Sequence, residues 1–250
     1  MTRAELKYYT SLTLKKSRME EAKFLVEGIK LIGEAISSGY YCEAIFYTNA
    51  VSEKEEEFVE SLRKKVFRIE EVRREDLCRL ADVKTPQEVI AVFYNDDDKD
   101  KEPKGELIVA LENINDPGNL GTIIRSSDWF GVSSILLSEN CAEIYNPKVI
   151  RASAGSVFHL NVFESKNFYQ QLEEQKAKEY QICCADLTGE NIYNFTKHSK
   201  LVLVMANEAN GPTDELLSLC DNKITIPRKG NAESLNVSIA SAIILSELTK

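Results

Sequence analysis

Apolar positions recur along this chain in two periods. Up to about residue 94, helical and strand-like patterns alternate. Helices are expected near 3–15, 28–38, 52–64 and 73–80, and strands at 24–27, 42–48, 66–69 and 88–94. In "EGIKLIGEAISSGY", Ile29, Ile32, Ala35 and Ile36 share one helical face and Gly39 supplies a stop. "EAIFYT" and "EVIAVFY" are short β-rich runs. The pattern predicts a small α/β/α domain over residues 1–94. The stretch 95–105, "NDDDKDKEPKG", is nearly all charge and reads as a linker.

From 106 to 250 the strands are continuous apolar runs: "ELIVALENI", "SSILLS", "VFHLNVF", "YQICCADL", "KLVLVMANE" and "KITIP". Helical patterns separate most of them, over "NLGTIIRSSDWFG", "NPKVIRASA", "NFYQQLEEQKAKE" and "PTDELLSLC", and the chain closes on a helix apolar on nearly every side. Strands without alternation, separated by helices, predict a mostly parallel sheet buried on both faces. In such a sheet the ligand crevice lies beyond the carboxyl ends of the strands.

Composition narrows the function by exclusion. Six cysteines, at 42, 78, 141, 183, 184 and 220, form no C-x-x-C pair, and His159 and His198 are the only histidines, so zinc-type spacing is absent and no metal is expected. There is no G-x-S-x-G elbow, no G-x-G-x-x-G and no Walker-type glycine loop, which argues against hydrolase, hydride-transfer and nucleotide-triphosphate chemistry. No run is long and apolar enough for a membrane span and the N-terminus has no signal-peptide core, so a cytoplasmic protein is expected. The net charge of −9 argues against a non-specific nucleic-acid coat. Residues 1–94, however, carry 16 Lys/Arg against 17 Asp/Glu, with basic clusters at 15–18, 63–65 and 73–74 that suit a structured RNA or, more simply, solvated helix faces.

Three strand-end loops concentrate the candidate chemistry: "ENINDPGNLGTIIRSSDWFG" (112–131), "MANEANGPTDE" (205–215) and "IPRKGNAESLNVS" (226–238). Ordinary turn chemistry accounts for any one of them, with Asp116 or Asn119 as an N-cap and Pro212 as a first helical residue. Three at one end of one sheet point to a site.

These loops resemble the three motifs of the SpoU (TrmH-type) family of RNA ribose 2′-O-methyltransferases, in order and spacing over most of 107–250. The segment containing "FLVEGIKLIGEAI" is similar to the L30e-like substrate-binding domain that often precedes that catalytic domain. The resemblance implies a SPOUT-type sheet ending in a trefoil knot, a homodimer, and S-adenosyl-L-methionine held in the knot. It implies catalytic roles for Arg125, Asn113, Glu208, Ser234 and Asn236. Cofactor contacts are implied for Ala206, Gly211, Ile226, Pro227 and Leu235. Two positions depart from the family pattern: Ala206 replaces a usual glycine, and Arg228 a usual apolar residue. Lys148, Arg151 and Ser153, in "NPKVIRASAGSVFHL", are candidate RNA or dimer contacts. A structured rRNA is the favoured substrate. A tRNA target, or a non-catalytic RNA-binding or ribosome-assembly factor, are the competing readings.

Overall fold

In the computed structural model, residues 1–63, 66–81, 85–95, 102–207 and 210–250 are described. The chain divides into two compact units, Met1–Lys99 with Tyr145–Phe158, and Asp100–Ile144 with His159–Lys250.

The first unit is built on a mixed sheet of β1 (Lys23–Glu27), β2 (Cys42–Tyr47), β3 (Arg68–Glu71) and β4 (Val89–Tyr94), in the order β1-β4-β2-β3. β4 runs antiparallel to both its neighbours, and β2 and β3 are parallel. Five helices surround it: α1 (Arg3–Ser11), α2 (Lys15–Glu21), α3 (Ile29–Ser37), α4 (Glu53–Ser61) and α5 (Arg74–Leu80). Capping boxes start α1 and α4, where Thr2 and Ser52 each accept from the amide of a glutamate three residues on and receive that carboxylate on their own N–H. Leu6, Tyr9 and Leu12 join Leu25, Phe46, Leu77 and Ile90 in one core.

The helix expected over 3–15 is instead two helices with a turn between them. Arg18 explains the break: it is buried, and its Nη1 donates to the carbonyls of Leu12 (2.9 Å) and Thr13 (2.8 Å) at the end of α1. That helix terminus has unmet acceptors, and Arg18 supplies the donors. Several residues of the basic clusters are paired: Arg63 with Glu60, Arg74 with Glu88, and Lys16 with Glu20 at 3.8 Å. Lys64 and Lys65 lie outside the described residues.

Residues 145–158 belong to this unit although they are far away in sequence. They hold a short helix over Pro147–Ser153 and a 3-10 turn, Ser156–Phe158. Tyr145 stacks on Phe24 with ring centroids 4.3 Å apart, and Phe158 and Tyr40 complete an aromatic cluster. Arg151 approaches Glu27 at 3.9 Å. The segment packs on β1, an edge strand that would otherwise expose its unpaired backbone groups. The strand expected over 157–163 therefore starts later, because Val157 and Phe158 are turned into this core. Ser153 is fully buried and donates to the Ile150 carbonyl at 2.9 Å, which removes it as a surface contact.

The second unit carries six strands, β5 (Leu107–Glu112), β6 (Ser134–Ser138), β7 (Asn161–Ser165), β8 (Gln181–Asn191), β9 (Leu201–Ala206) and β10 (Asn222–Thr225). Their order is β10-β8-β9-β5-β6-β7, and every pair is parallel. The helices are α6 (Pro117–Trp129), α7 (the Pro147–Ser153 helix assigned above to the first unit), α8 (Phe168–Ala177), α9 (Asp214–Leu219) and α10 (Val237–Leu248). One face of the sheet buries Ile108, Ala110, Leu136, Val202 and Val204 against Phe168, Leu172 and Leu216. α10 packs on α6. It buries Ile244, Leu245 and Leu248, each worth about 1.5–3 kcal/mol, but leaves Ile239 54% exposed. Among the described residues no helix is long and apolar enough to cross a membrane.

Candidate active site

The three loops meet at the carboxyl ends of β5, β9 and β10, and side-chain amides join them. The first begins at Asn113, whose φ of 58° places a non-glycine residue in the left-handed region. Its amide donates to Ser138 Oγ at 2.9 Å, and its Oδ1 accepts from the same hydroxyl at 3.4 Å. Its carbonyl accepts from Asn207 Nδ2 at 2.9 Å, tying the first loop to the second. Cys141 supports the turn as a structural thiol: its Sγ accepts from Ile114 N–H and donates to the Leu111 carbonyl. Burial pushes that thiol up, so it stays protonated.

Asp116 is the N-cap of α6, accepting from Asn119 N–H at 2.8 Å, with Pro117 as the first helical residue. Asn119 Oδ1 accepts from Asn236 Nδ2 at 2.9 Å, which ties the first loop to the third. The Asn236 Oδ1 meanwhile caps α10, accepting from Ser238 N–H (2.9 Å) and Ile239 N–H (3.4 Å). Ser234 is exposed and lies two residues before this cap, so capping falls to Asn236 alone.

Arg125 is exposed on α6 and forms no ion pair among the described residues. Thr122, Arg125 and Trp129 share the exposed face, at i, i+3 and i+7. Arg125 lies six positions after Asn119, about 9 Å along the helix axis. Glu208 lies outside the described residues. Gly211 has φ of 65°, and a Cβ there would meet nothing within 4 Å. Ala206 is buried at the end of β9, Ile226 and Pro227 are half-buried after β10, and residues 228–236 are all exposed. Leu235 is 45% exposed. Arg228 folds back onto its own loop, its Nη1 donating to the Ala232 carbonyl at 3.2 Å. Pro212 is not the first residue of α9, because Thr213 is its N-cap.

The residue the motifs do not single out is Glu112, at the end of β5. Only 1% of it is exposed. Its Oε1 accepts from Thr213 Oγ1 and Tyr169 Oη, each at 2.7 Å, and its Oε2 accepts from Thr213 N–H at 3.1 Å. Burial, and the carboxylate it donates to, hold the Tyr169 phenol above its ordinary value. A charged residue closing an otherwise apolar strand was the available signal. Its partners, 57 and 101 residues away, left none.

Open space at the Cβ position of Gly211 and the exposed residues 228–236, with half-buried Ile226 and part-exposed Leu235, fit a ligand with a flat ring and polar edges. No group of three or more metal-binding side chains occurs among the described residues.

Known proteins agree in kind. Residues 106–246 match the SpoU rRNA Methylase family, and residues 3–91 match the MRM3-like substrate binding domain. The chain is 29% identical over 245 residues to the 23S rRNA (guanosine(2553)-2′-O)-methyltransferase RlmP of Bacillus subtilis, covering 98% of this chain and 95% of that protein. It is 27% identical to a 23S rRNA (uridine(2479)-2′-O)-methyltransferase of Streptomyces viridochromogenes, over 94% of this chain and 85% of the other. The crystal structure of the SpoU methyltransferase AviRb from that organism, in complex with AdoMet, superposes with a TM-score of 0.88 at 27% identity. It covers 99% of this chain and 97% of AviRb.

Proposed function

The chain belongs to the SpoU rRNA methylase family, and from that premise we propose that it methylates one ribose 2′-hydroxyl of 23S-type rRNA in the cytoplasm, as a homodimer. The observation that carries the reading is the joining of all three loops at one sheet end through Asn207–Asn113 and Asn236–Asn119. The enzyme class, an RNA ribose 2′-O-methyltransferase using S-adenosyl-L-methionine, goes with the family and its AdoMet-bound relative.

S-adenosyl-L-methionine supplies a methyl group already activated on a sulfonium. The chain's own task is to bind, align and neutralise. Ala206, Gly211, Ile226, Pro227 and Leu235 are the residues that would hold it, by backbone amides and apolar contact. Holding two reactants in line lowers the barrier by roughly 7–11 kcal/mol in favourable cases. The target hydroxyl must lose its proton as the new C–O bond forms. An arginine is a poor base because its pKa exceeds about 12, so Arg125 serves best by holding the adjoining phosphate and stabilising the developing alkoxide. Its exposure and its lack of an ion pair among the described residues suit a group waiting for RNA. Asn113 and Asn236 set the shape of the loops, whereas Glu208 and Ser234 are assigned to the target ribose by the family pattern.

The homodimer is supported by apolar side chains left in solvent on α6 and α10: Trp129 is 84% exposed and Ile239 54%. The return of α10 onto α6, after strands β9 and β10 that lie on the other side of β5 from β6 and β7, is compatible with the trefoil knot that the family implies.

Mapping 2′-O-methylation across total RNA, from cells with and without the gene, tests the reading. One 23S-type rRNA ribose should lose its methyl group. Loss at a tRNA position, with rRNA unchanged, would overturn the choice of substrate.

A further inference from the structure

Tyr41 and Tyr94 put two aromatic rings side by side on the surface of the first unit, Tyr41 63% exposed and Tyr94 38%. Their ring centroids are 5.5 Å apart and their planes are tilted by 51°. The backbone fixes the pairing: Tyr41 precedes β2, Tyr94 ends β4, and the Tyr94 amide donates to the Tyr41 carbonyl at 3.0 Å. A bulge in β2 sets the direction of the side chains beside them. Cys42 faces Phe93 and Ala44 faces Val92 in the ladder, so Glu43 is an extra residue between them. A bulge of this kind re-aims a side chain. Here it brings Glu43 to Lys23, the first residue of β1, at 2.5 Å.

The surrounding groups hold the rings and cancel the local charge. Lys23 lies opposite Tyr94 in the ladder, and its ammonium is 4.8 Å from the Tyr94 ring centroid and 5.4 Å from that of Tyr8. The same ammonium donates to Tyr8 Oη at 3.1 Å, and Tyr8 Oη donates to Glu21 at 2.8 Å. The Tyr94 hydroxyl is hydrogen-bonded to Glu43. The cation beside the rings is therefore already neutralised, and the patch lacks the free positive charge that holds a phosphate. What it presents to solvent is ring faces. Hydroxyls and ionic groups border them, which suits a ligand with a flat face and polar edges better than an aliphatic side chain.

We propose that Tyr41 and Tyr94 form a stacking platform for unpaired bases of the rRNA substrate, taking base faces and not phosphates. The inference rests on the reading that this chain acts on rRNA, and Tyr41 lies in the segment that matches a substrate binding domain. Bases in loops and bulges of a folded RNA can be splayed out and stacked on aromatic side chains, whereas bases inside a helix cannot. Stacking tolerates any base, because each has a π-face. The platform thus adds affinity for single-stranded elements of the substrate without reading their sequence.

Filter binding of the full chain to large-subunit rRNA, extracted from cells lacking the gene, tests this at several KCl concentrations. Tyr41→Ala should weaken binding about tenfold, and Tyr94→Ala to a similar degree. Tyr41→Phe keeps the ring and should bind as the wild type does. The slope of log affinity against log salt should keep its wild-type value, because no phosphate contact is lost. Tyr41 is mostly exposed, so its variants should keep the wild-type unfolding temperature, and they carry the test should Tyr94→Ala fold poorly. Unchanged affinity in Tyr41→Ala would overturn the platform. A Tyr41→Phe variant as weak as the alanine one would also overturn it, in favour of a hydroxyl contact, and a shallower salt slope in favour of a phosphate contact. An altered oligomeric state in Tyr41→Ala, with RNA affinity unchanged, would assign the rings to a second copy of the chain instead. A wild-type chain that binds no rRNA would overturn the substrate reading on which the platform rests.

Discussion

The side-chain amide of Asn236 donates to Oδ1 of Asn119 at 2.9 Å, across 117 residues of sequence. One residue thus caps α10 with its oxygen and fastens the first turn of α6 with its nitrogen. Asn236→Ala should lose the cap, at about 0.5–2 kcal/mol, and also loosen the third loop. A double-mutant cycle with Asn119→Ala, read by thermal unfolding, should give a coupling of about 0.5 kcal/mol or more, since the two side chains touch. Additive effects would show the bond to be incidental.

Arg125→Ala should abolish methyl transfer and leave S-adenosyl-L-methionine binding nearly unchanged. The side chain is exposed and forms no ion pair among the described residues, so the fold should tolerate its loss. Single-turnover methylation and calorimetry on the same preparation separate the two effects. Loss of both would make Arg125 a structural residue.

Removing residues 1–99 should leave a poorly behaved remainder. Tyr145, Val149, Ile150 and Phe158 complete the core of the first unit, and without Phe24, Tyr40 and Glu27 their apolar surface faces water. Increased binding of a hydrophobic dye and aggregation of the 100–250 fragment are expected. In the full chain, Phe24→Ala should cost about 3–5 kcal/mol, as for other buried aromatics.

Acid should weaken the first unit through Lys23 and Glu43, which pair at 2.5 Å with side chains 14% and 19% exposed. Burial pushes the Glu43 carboxyl up, but the bonds from Lys23, Tyr94 and Tyr9 outweigh it and hold it below the usual range. A depressed carboxyl contributes stability above its unfolded pKa, and that contribution is lost as pH falls through the lower folded value. Lys23 is opposite in sign: burial lowers it, Glu43 and Tyr8 more than restore it, and the net rise keeps its contribution in place until alkaline pH. The stability difference between wild type and Glu43→Gln, followed by thermal unfolding, should be steady from roughly pH 5 to 10 and shrink below about pH 4. A difference that persists undiminished at pH 3 would show that packing, not charge, is what Glu43 contributes.

How far the sequence could be read is clearest at α6 and α1. Asp116, Pro117 and the apolar run after them mark the start of α6 within a few residues, because capping and periodicity act over a single turn. At the N-terminus the same local signals suggest one helix over 3–15, and the break appears only when Arg18 is seen buried beneath the end of α1. The strand expected from 157 fails for a related reason. An apolar run does not say which core it enters, and Val157 and Phe158 enter the first unit's.

The sequence by itself determined the alternating architecture of 106–250, a small α/β/α domain ahead of it and, through three loop motifs, the family and its chemistry. Those are short-range properties: side-chain period, caps, turn residues and motif spacing. The tertiary structure alone decided that residues 145–158 complete the first unit, that Asn207 and Asn236 bind the loops to one another, and that Glu112 is buried without a cation among the described residues. Each of these depends on hydrogen bonds or ring contacts between residues some 50 to 120 positions apart. No local pattern encodes such a pairing, because the partner is chosen by strand order and not by neighbours in the chain.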